Sequence, residues 1–206
     1  MATFILLSAY TFSSHAGEPI RILALGDSLT AGYGLPAEDA FPRQLRNALV
    51  QSGLDADVLN AGVSGDTSAG GLSRLDWALA TGGKGLPDMV IVELGANDGL
   101  RGLDPDQTFV NLDAILTRLK EQNLGVLLTG MRAPPNLGPE YGQEFAAVYT
   151  RLAEKHEILL YPFFLDGVAA IPALNQADAI HPNAEGVKVV VSRIQPYIIR
   201  VLNREP

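Results

Sequence analysis

The sequence predicts an α/β protein: a flavodoxin-like three-layer sandwich, with a five-stranded parallel sheet and helices on both faces. Three observations predict it. Short apolar runs closed by glycine alternate with longer stretches whose apolar residues recur every three or four positions. The apolar runs have no polar face, as strands covered on both sides require. The chain has 206 residues, 47% of them hydrophobic, which suits one sizeable core.

Ile20 to Leu25 is the first strand, stopped by Gly26. A helix follows over Pro42 to Ser52, with Leu45, Ala48 and Leu49 on one face, Pro42 in its first turn and Gly53 after its end. Val58-Leu59 is a short strand leading into Asn60-Ala61-Gly62, and Met89 to Leu94 is a third, ended by Gly95. Asp104 begins a helix over Pro105 to Gln122 that carries Phe109, Leu112, Leu116 and Leu119. Gly125 to Thr129 is the fourth strand, Glu140 to His156 a helix, and Ile158 to Tyr161 the fifth strand. Ala184 to Leu202 is a closing helix that Pro196 is expected to kink or divide. No repeat, low-complexity tract or long linker interrupts this order, so residues 17–206 read as one domain.

Residues 1–16 read differently. Ala2 to Phe12 is mostly apolar and uncharged, too short to cross a bilayer, which takes ~20 apolar residues. Ser14 and Ala16 suit a signal-peptidase site before Gly17, but the first basic residue is Arg21, so a positive n-region is missing. The stretch reads as a signal-peptide remnant or an apolar tail. The first reading starts the mature chain near Gly17 and makes the protein periplasmic or secreted; the second leaves it cytoplasmic.

Composition excludes several chemistries. With 23 acidic and 15 basic residues the net charge is −8, which disfavours a nucleic-acid partner. Without cysteine there is no disulfide framework, thiolate nucleophile, cysteine-ligated zinc or iron–sulfur cluster. The histidines are His15, His156 and His181, too scattered to make good metal ligands. Gly32-Tyr33-Gly34-Leu35-Pro36-Ala37 matches G-x-G-x-x-A, but it lies well beyond the strand end, and Pro36 stands where the helix should run. It reads as a surface loop. Gly82-Gly83-Lys84-Gly85 lacks the Ser or Thr that a P-loop needs after its lysine. Neither a cofactor nor a metal is expected.

In open parallel sheets ligands bind outside the carboxyl ends of the strands. Here those ends are Gly26-Asp27-Ser28, Asn60 to Gly65, Gly95 to Asp98 and Gly130-Met131-Arg132, each rich in glycine or small polar residues. Asp178-Ala179-Ile180-His181 lies just before the final helix. A serine hydroxyl needs an imidazole to take its proton and a third group to orient that imidazole. Asp178 can turn back to His181 Nδ1 and leave Nε2 facing Ser28, in chain order Ser, Asp, His. Gly65 can offer a backbone N–H, and Asn97 an amide, to an oxyanion beside Ser28. Short motifs also have plainer readings: an Asp cap near a surface histidine, and an ordinary strand-to-helix turn.

Four blocks taken together resemble the SGNH (GDSL-type) hydrolases: Gly26-Asp27-Ser28-Leu29, Gly62 to Thr67, Gly95-Ala96-Asn97-Asp98-Gly99 and Asp178 to Pro182. Their order and spacing match, and the resemblance covers about residues 20 to 200. The longer strings Asn60 to Thr67 and Val92 to Gly102 are similar to the bacterial exported thioesterase/lysophospholipase/arylesterase branch. The resemblance implies Ser28 as nucleophile, His181 as general base and Asp178 as its orienting carboxylate. It also implies an oxyanion hole from the N–H groups of Ser28 and Gly65 and the Asn97 amide.

The expected activity is therefore hydrolysis of carboxylic esters or acyl-thioesters through an acyl-enzyme. The alternatives are deacetylation of carbohydrate or lipid esters at the same site, a non-catalytic ligand-binding module, and a flavodoxin-like nucleotide binder. The expected partner is a small-molecule ester or thioester substrate, with no nucleic acid, no integral membrane association and a monomer as the default. Other polar residues read as structural. His156 sits at a helix end, and Asp27, Asp66 and Asp98 fix loops. Arg101 and Arg132 either touch substrate or form loop-pinning ion pairs. Trp77 packs the helix after the second block. The proline-rich loop Arg132 to Pro139 borders the acyl cleft.

Overall fold

The computed structural model describes residues 18–80, 83 and 85–203; the stretch 1–16 and its cleavage reading lie outside these. Strands β1 (Ile20–Gly26), β2 (Ala56–Gly62), β3 (Met89–Glu93), β4 (Gly125–Thr129) and β5 (Leu159–Tyr161) form one sheet in the order β2-β1-β3-β4-β5. Every neighbouring pair is parallel. In chain order the helices are α1 (Ser28–Ala31), α2 (Phe41–Gln51), α3 (Ser68–Ser73), α4 (Leu75–Leu79), α5 (Ala96–Leu100), α6 (Pro105–Glu121), α7 (Pro139–His156) and α8 (Ala184–Leu202).

The sheet is the α/β three-layer architecture that the apolar runs predict. From β1 the chain steps outward to β2, then reverses across β1 to β3, β4 and β5. Right-handed crossovers therefore put helices on opposite faces before and after the reversal. Accordingly α2 packs with α8, while α6 packs with α7 and α3. The core is continuous: Ile22 to Leu25, Met89 to Val92, and Leu127 and Leu128 are completely buried in the sheet's centre. Each Ile, Leu, Val or Met side chain among them contributes about 1.5–3 kcal/mol on leaving water.

Local chemistry sets the helix ends. The Asp104 side chain accepts the Asp106 N–H at 2.9 Å and Pro105 fills the first turn of α6, whose buried face is Thr108, Leu112, Ile115, Leu116 and Leu119. The Asn183 side chain accepts the Gly186 N–H at 3.0 Å and starts α8.

Three sequence expectations need correction. β2 spans seven residues rather than two, because it pairs with β1 along its whole length, Ile20 with Ala56 through Gly26 with Gly62. As an edge strand it keeps polar Asp57 and Asn60, which hides it from a search for apolar runs. Pro196 does not divide α8. The strip Val187, Val190, Val191, Ile194, Ile198 and Val201 is buried on both sides of the proline and keeps both halves helical despite one missing N–H. Trp77 is 68% exposed, because Leu75, Ala78 and Leu79 supply the inward face of α4.

Candidate active site

β1 and β3 flank the point where the sheet order reverses, and the loops after these strands diverge to leave a crevice. A cleft of about 520 Å³ opens there, lined on its floor by Ser28, Gly65, Asn97 and His181. Leu100, Met131, Pro134, Pro135, Phe163 and Ile180 form apolar walls. The loop that begins at Arg132 thus borders the cleft.

Ser28 is the first residue of α1, a four-residue turn of helix. Asp27 caps it, with Oδ1 accepting the Leu29 N–H at 3.0 Å. Gly26 must be glycine: a Cβ there would lie 2.5 Å from Glu93 Oε2 and closer still to Thr30 Oγ1. The close approach seats the turn that carries Ser28 against Glu93 at the end of β3, through Asp27 N–H and the Thr30 hydroxyl.

The loop before α8 carries Asp178 and His181. Gln176 N–H donates to the His181 carbonyl at 2.8 Å, and Asn183 N–H to the Leu174 carbonyl at 2.9 Å, so the loop is tied at both ends. Within it Asp178 Oδ1 accepts the N–H groups of Ile180 at 2.9 Å and His181 at 3.0 Å. Ala179 takes a left-handed φ of 60° to make this turn. Asp178 Oδ2 lies 2.7 Å from His181 Nδ1, and His181 Nε2 lies 2.8 Å from Ser28 Oγ. The His181 N–H, then that of Ile180 and the ring contact, hold the Asp178 carboxyl down to about 2. An ionised carboxylate only accepts hydrogen bonds, so Nδ1 carries the proton and the Nε2 lone pair faces the Ser28 hydroxyl.

Gly65 and Asn97 arrive from the loops after β2 and β3. Gly65 has φ of 85°, and its carbonyl accepts from Arg101 Nη2 at 2.9 Å. Asn97 Nδ2 donates to Asp27 Oδ2 at 3.0 Å and to the Asp66 carbonyl at 2.9 Å. Both amide hydrogens are thus engaged, and an oxyanion would have to share one of them. Asp66 is paired to Arg74 Nε at 2.5 Å, while Arg74 Nη2 donates to the Gly26 carbonyl at 2.9 Å, clamping the second loop onto the first. Asp98 accepts from the Ser68 N–H at 2.8 Å and the Thr108 hydroxyl at 3.2 Å.

The structure therefore brings together Ser28, Gly65, Asn97, Asp178 and His181. It keeps His156 apart, buried at the end of α7 with Nε2 2.7 Å from Asp113 Oδ1. Arg101 pins a carbonyl, and Arg132 lies over the Phe163 ring at 4.5 Å. Among the described residues no three His, Asp or Glu side chains cluster as a metal site would require.

Sequence reasoning missed Glu93, Tyr33 and Gln176. Glu93 ends β3 completely buried, with its proton affinity raised well above the ordinary range, first by burial and then by Asp27. A lone carboxyl at the end of an otherwise apolar strand was the available signal. Tyr33 sets its ring 4.7 Å from that of His181. Gln176 Nε2 bridges the Tyr33 carbonyl at 2.8 Å and the Pro182 carbonyl at 3.0 Å. Neither residue stands at a spacing that marks it in sequence.

The chain as a whole is similar to known proteins. A model of the GDSL-like lipase/acylhydrolase family matches residues 24–189. An arylesterase of Vibrio mimicus is 37% identical over 205 residues, covering 100% of this chain and 96% of the relative. The thioesterase 1/protease 1/lysophospholipase L1 of Escherichia coli K12 is 39% identical over 199 residues, covering 95% and 92%. The crystal structure of AlinE4, an SGNH-hydrolase family esterase, superimposes with a TM-score of 0.76 at 47% identity, covering 91% of this chain and 99% of that one.

Proposed function

Because the chain belongs to the GDSL-like lipase/acylhydrolase family, we propose that this serine carboxylic ester hydrolase works through a covalent acyl-enzyme formed on Ser28. The hydrogen-bonded line Asp178–His181–Ser28, with spacings of 2.7 and 2.8 Å at the floor of an apolar cleft, carries the reading.

Ser28 Oγ attacks the substrate carbonyl carbon while His181 Nε2 takes the hydroxyl proton. Asp178, ionised, accepts from Nδ1 and stabilises the imidazolium. The carbonyl oxygen becomes an oxyanion facing the N–H groups of Ser28 and Gly65 and the Asn97 amide. As the tetrahedral intermediate collapses, the bond to the leaving oxygen or sulfur breaks and His181 gives that atom its proton. Water then attacks the acyl-Ser28 carbonyl with His181 as base. The acid leaves and Ser28 recovers its proton.

The walls formed by Leu100, Met131 and Phe163 suit an apolar acyl or aryl group. Aryl esters, acyl-thioesters and lysophospholipids, the substrate classes that fit relatives called arylesterase and thioesterase 1/protease 1/lysophospholipase L1, all present an acyl carbonyl to the serine. Small residues before Gly17 and the apolar run ahead of them support export to the periplasm or the medium. Among the described residues no helix is long and apolar enough to cross a membrane.

Ser28→Ala tests the mechanism on p-nitrophenyl acetate. The expected loss in kcat is on the order of 10⁴-fold or more with an unchanged fold; retention of most activity would remove Ser28 as nucleophile. A series from acetyl to palmitoyl p-nitrophenyl esters, run beside acyl-CoA, reads the acyl and leaving-group preference.

A further inference from the structure

Two carboxyls lie beneath the Ser28 turn, and they are furnished differently. Gly26 of β1 pairs in register with Glu93 of β3, which brings the Glu93 side chain under the turn. Asp27 receives a donor on each oxygen: Leu29 N–H on Oδ1 at 3.0 Å and Asn97 Nδ2 on Oδ2 at 3.0 Å. The donors to Glu93 gather on one oxygen: Thr30 O–H at 2.7 Å and Asp27 N–H at 3.3 Å both reach Oε2. Glu93 Oε1 is buried with no hydrogen-bond partner among the described residues.

A carboxylate spreads its charge over two oxygens, and in a dry site each needs a donor. A carboxylic acid has one accepting carbonyl oxygen and one hydroxyl. Asp27 has the donor on each oxygen that a carboxylate needs; at Glu93 Oε1 no described residue answers the oxygen, and leaving a neutral oxygen unanswered there costs less than leaving a charged one. Adjacent buried carboxyls also resist double ionisation, since each charge disfavours the other. The surrounding polar and charged groups do not change the assignment. From α7, Tyr149 donates to the Leu94 carbonyl at 3.0 Å, and from β4, Thr129 donates to that of Val92 at 3.2 Å. Arg74 reaches the Gly26 carbonyl but pairs with Asp66, and no ion pair joins it to Glu93.

We infer that Glu93 is a positioning residue acting as an un-ionised carboxylic acid: Oε2 seats the turn that presents Ser28, and the absence of charge leaves Asp27 as the carboxylate that orients Asn97. The inference rests on the reading of Ser28 as nucleophile and Asn97 as oxyanion donor. Glutamine reproduces the accepting oxygen and puts a donor where the acid has its hydroxyl, so it should replace Glu93; alanine leaves the buried Thr30 hydroxyl and Asp27 N–H unanswered.

The test combines three measurements on the full chain. Infrared spectra at about pH 8, above the range in which Asp27 titrates, should show the carbonyl stretch of one un-ionised carboxyl that Glu93→Gln removes. Glu93→Gln should keep kcat on p-nitrophenyl acetate within about threefold, and keep the acid limb of the pH profile within about half a unit. Glu93→Ala should lower kcat about 10- to 100-fold with little change in KM. Absence of the infrared band, a displaced acid limb in Glu93→Gln, or a Glu93→Gln defect as deep as that of Glu93→Ala would each overturn the inference. The spectrum and the Gln variant keep the test decisive even if the Ala variant fails to fold. Because the band is read without turnover, a failure of the Ser28 assignment would leave it unmoved, so the two failures are distinguishable.

Discussion

Asp178 sits on an exposed loop, while Asp27 lies completely buried under the serine turn, yet both carboxyls are one hydrogen bond from a group placed in the cleft. The His181 loop keeps its acid ionised with local backbone donors, which bring it down to about 2. Under the Ser28 turn, burial acts first and raises Asp27 to about 6, against the opposing pull of the Leu29 N–H and the Asn97 amide. Hydrogen-bond donors can therefore be supplied at the surface by two consecutive residues, Ile180 and His181, whereas a buried acid depends on what the neighbouring strand and loops bring to it. The first half of the site is local in sequence. The second is assembled from β1, β3 and the loop after β2.

Variants can break or sharpen this contrast. The largest effect is expected from Asp178→Asn. Its amide oxygen can still accept from the Ile180 and His181 N–H groups, so the loop keeps its shape while the charge on Nδ1 is lost. A fall in kcat of about 10³- to 10⁴-fold is expected on p-nitrophenyl acetate; less than tenfold would mean that exposure to water has made the charge unimportant. Asn97→Ala comes next, with kcat about 100- to 1000-fold lower. If the loss were only twofold, Asn97 would be a bridge between Asp27 and Asp66 and nothing more. Tyr33→Ala should cost roughly 2- to 10-fold, the scale of one aromatic contact against the His181 ring.

The smallest effect is on stability and has opposite signs in the two halves. Glu93 holds its proton more tightly folded than unfolded, so above the ordinary value of about 4.5 folding pays a penalty that grows with pH until Glu93 itself ionises. Glu93→Gln should melt roughly 2–6 °C above the wild type near neutral pH, and the gap should close as pH falls through 4.5. Asp178 is depressed from 3.8 to about 2, so its contribution is present above 3.8 and is lost as pH falls towards 2. Thermal melts of Asp178→Asn against wild type across that window read the second sign. A gap that moved the same way with pH in both variants would dissolve the contrast.

How much could be read in advance follows the same division. The central strands β1, β3 and β4 are legible because burial on both faces makes their middles almost entirely apolar, with polar Arg21, Glu93 and Thr129 only near their ends. The edge strand β2 shows only Val58-Leu59 as an apolar run, since its outer side needs no apolar partner. Asp178 and His181 were legible as a pair three residues apart, and Ser28 stood out by its place after a strand. Glu93 escaped notice because strand spacing says nothing of what stands opposite, and Trp77 was misread because the inward face of α4 depends on neighbours elsewhere in the chain.

By itself the sequence determined the alternation of strands and helices, the family, and the residue types available for ester cleavage. Those depend on periodicity and on short-range spacing, which the chain carries locally. The tertiary structure decided which carboxyl is charged, which loop carbonyls hold the Asn97 amide, and which side chain faces the imidazole. Each of these depends on burial and on partners 31 to 153 residues away, and burial is a property of the assembled fold.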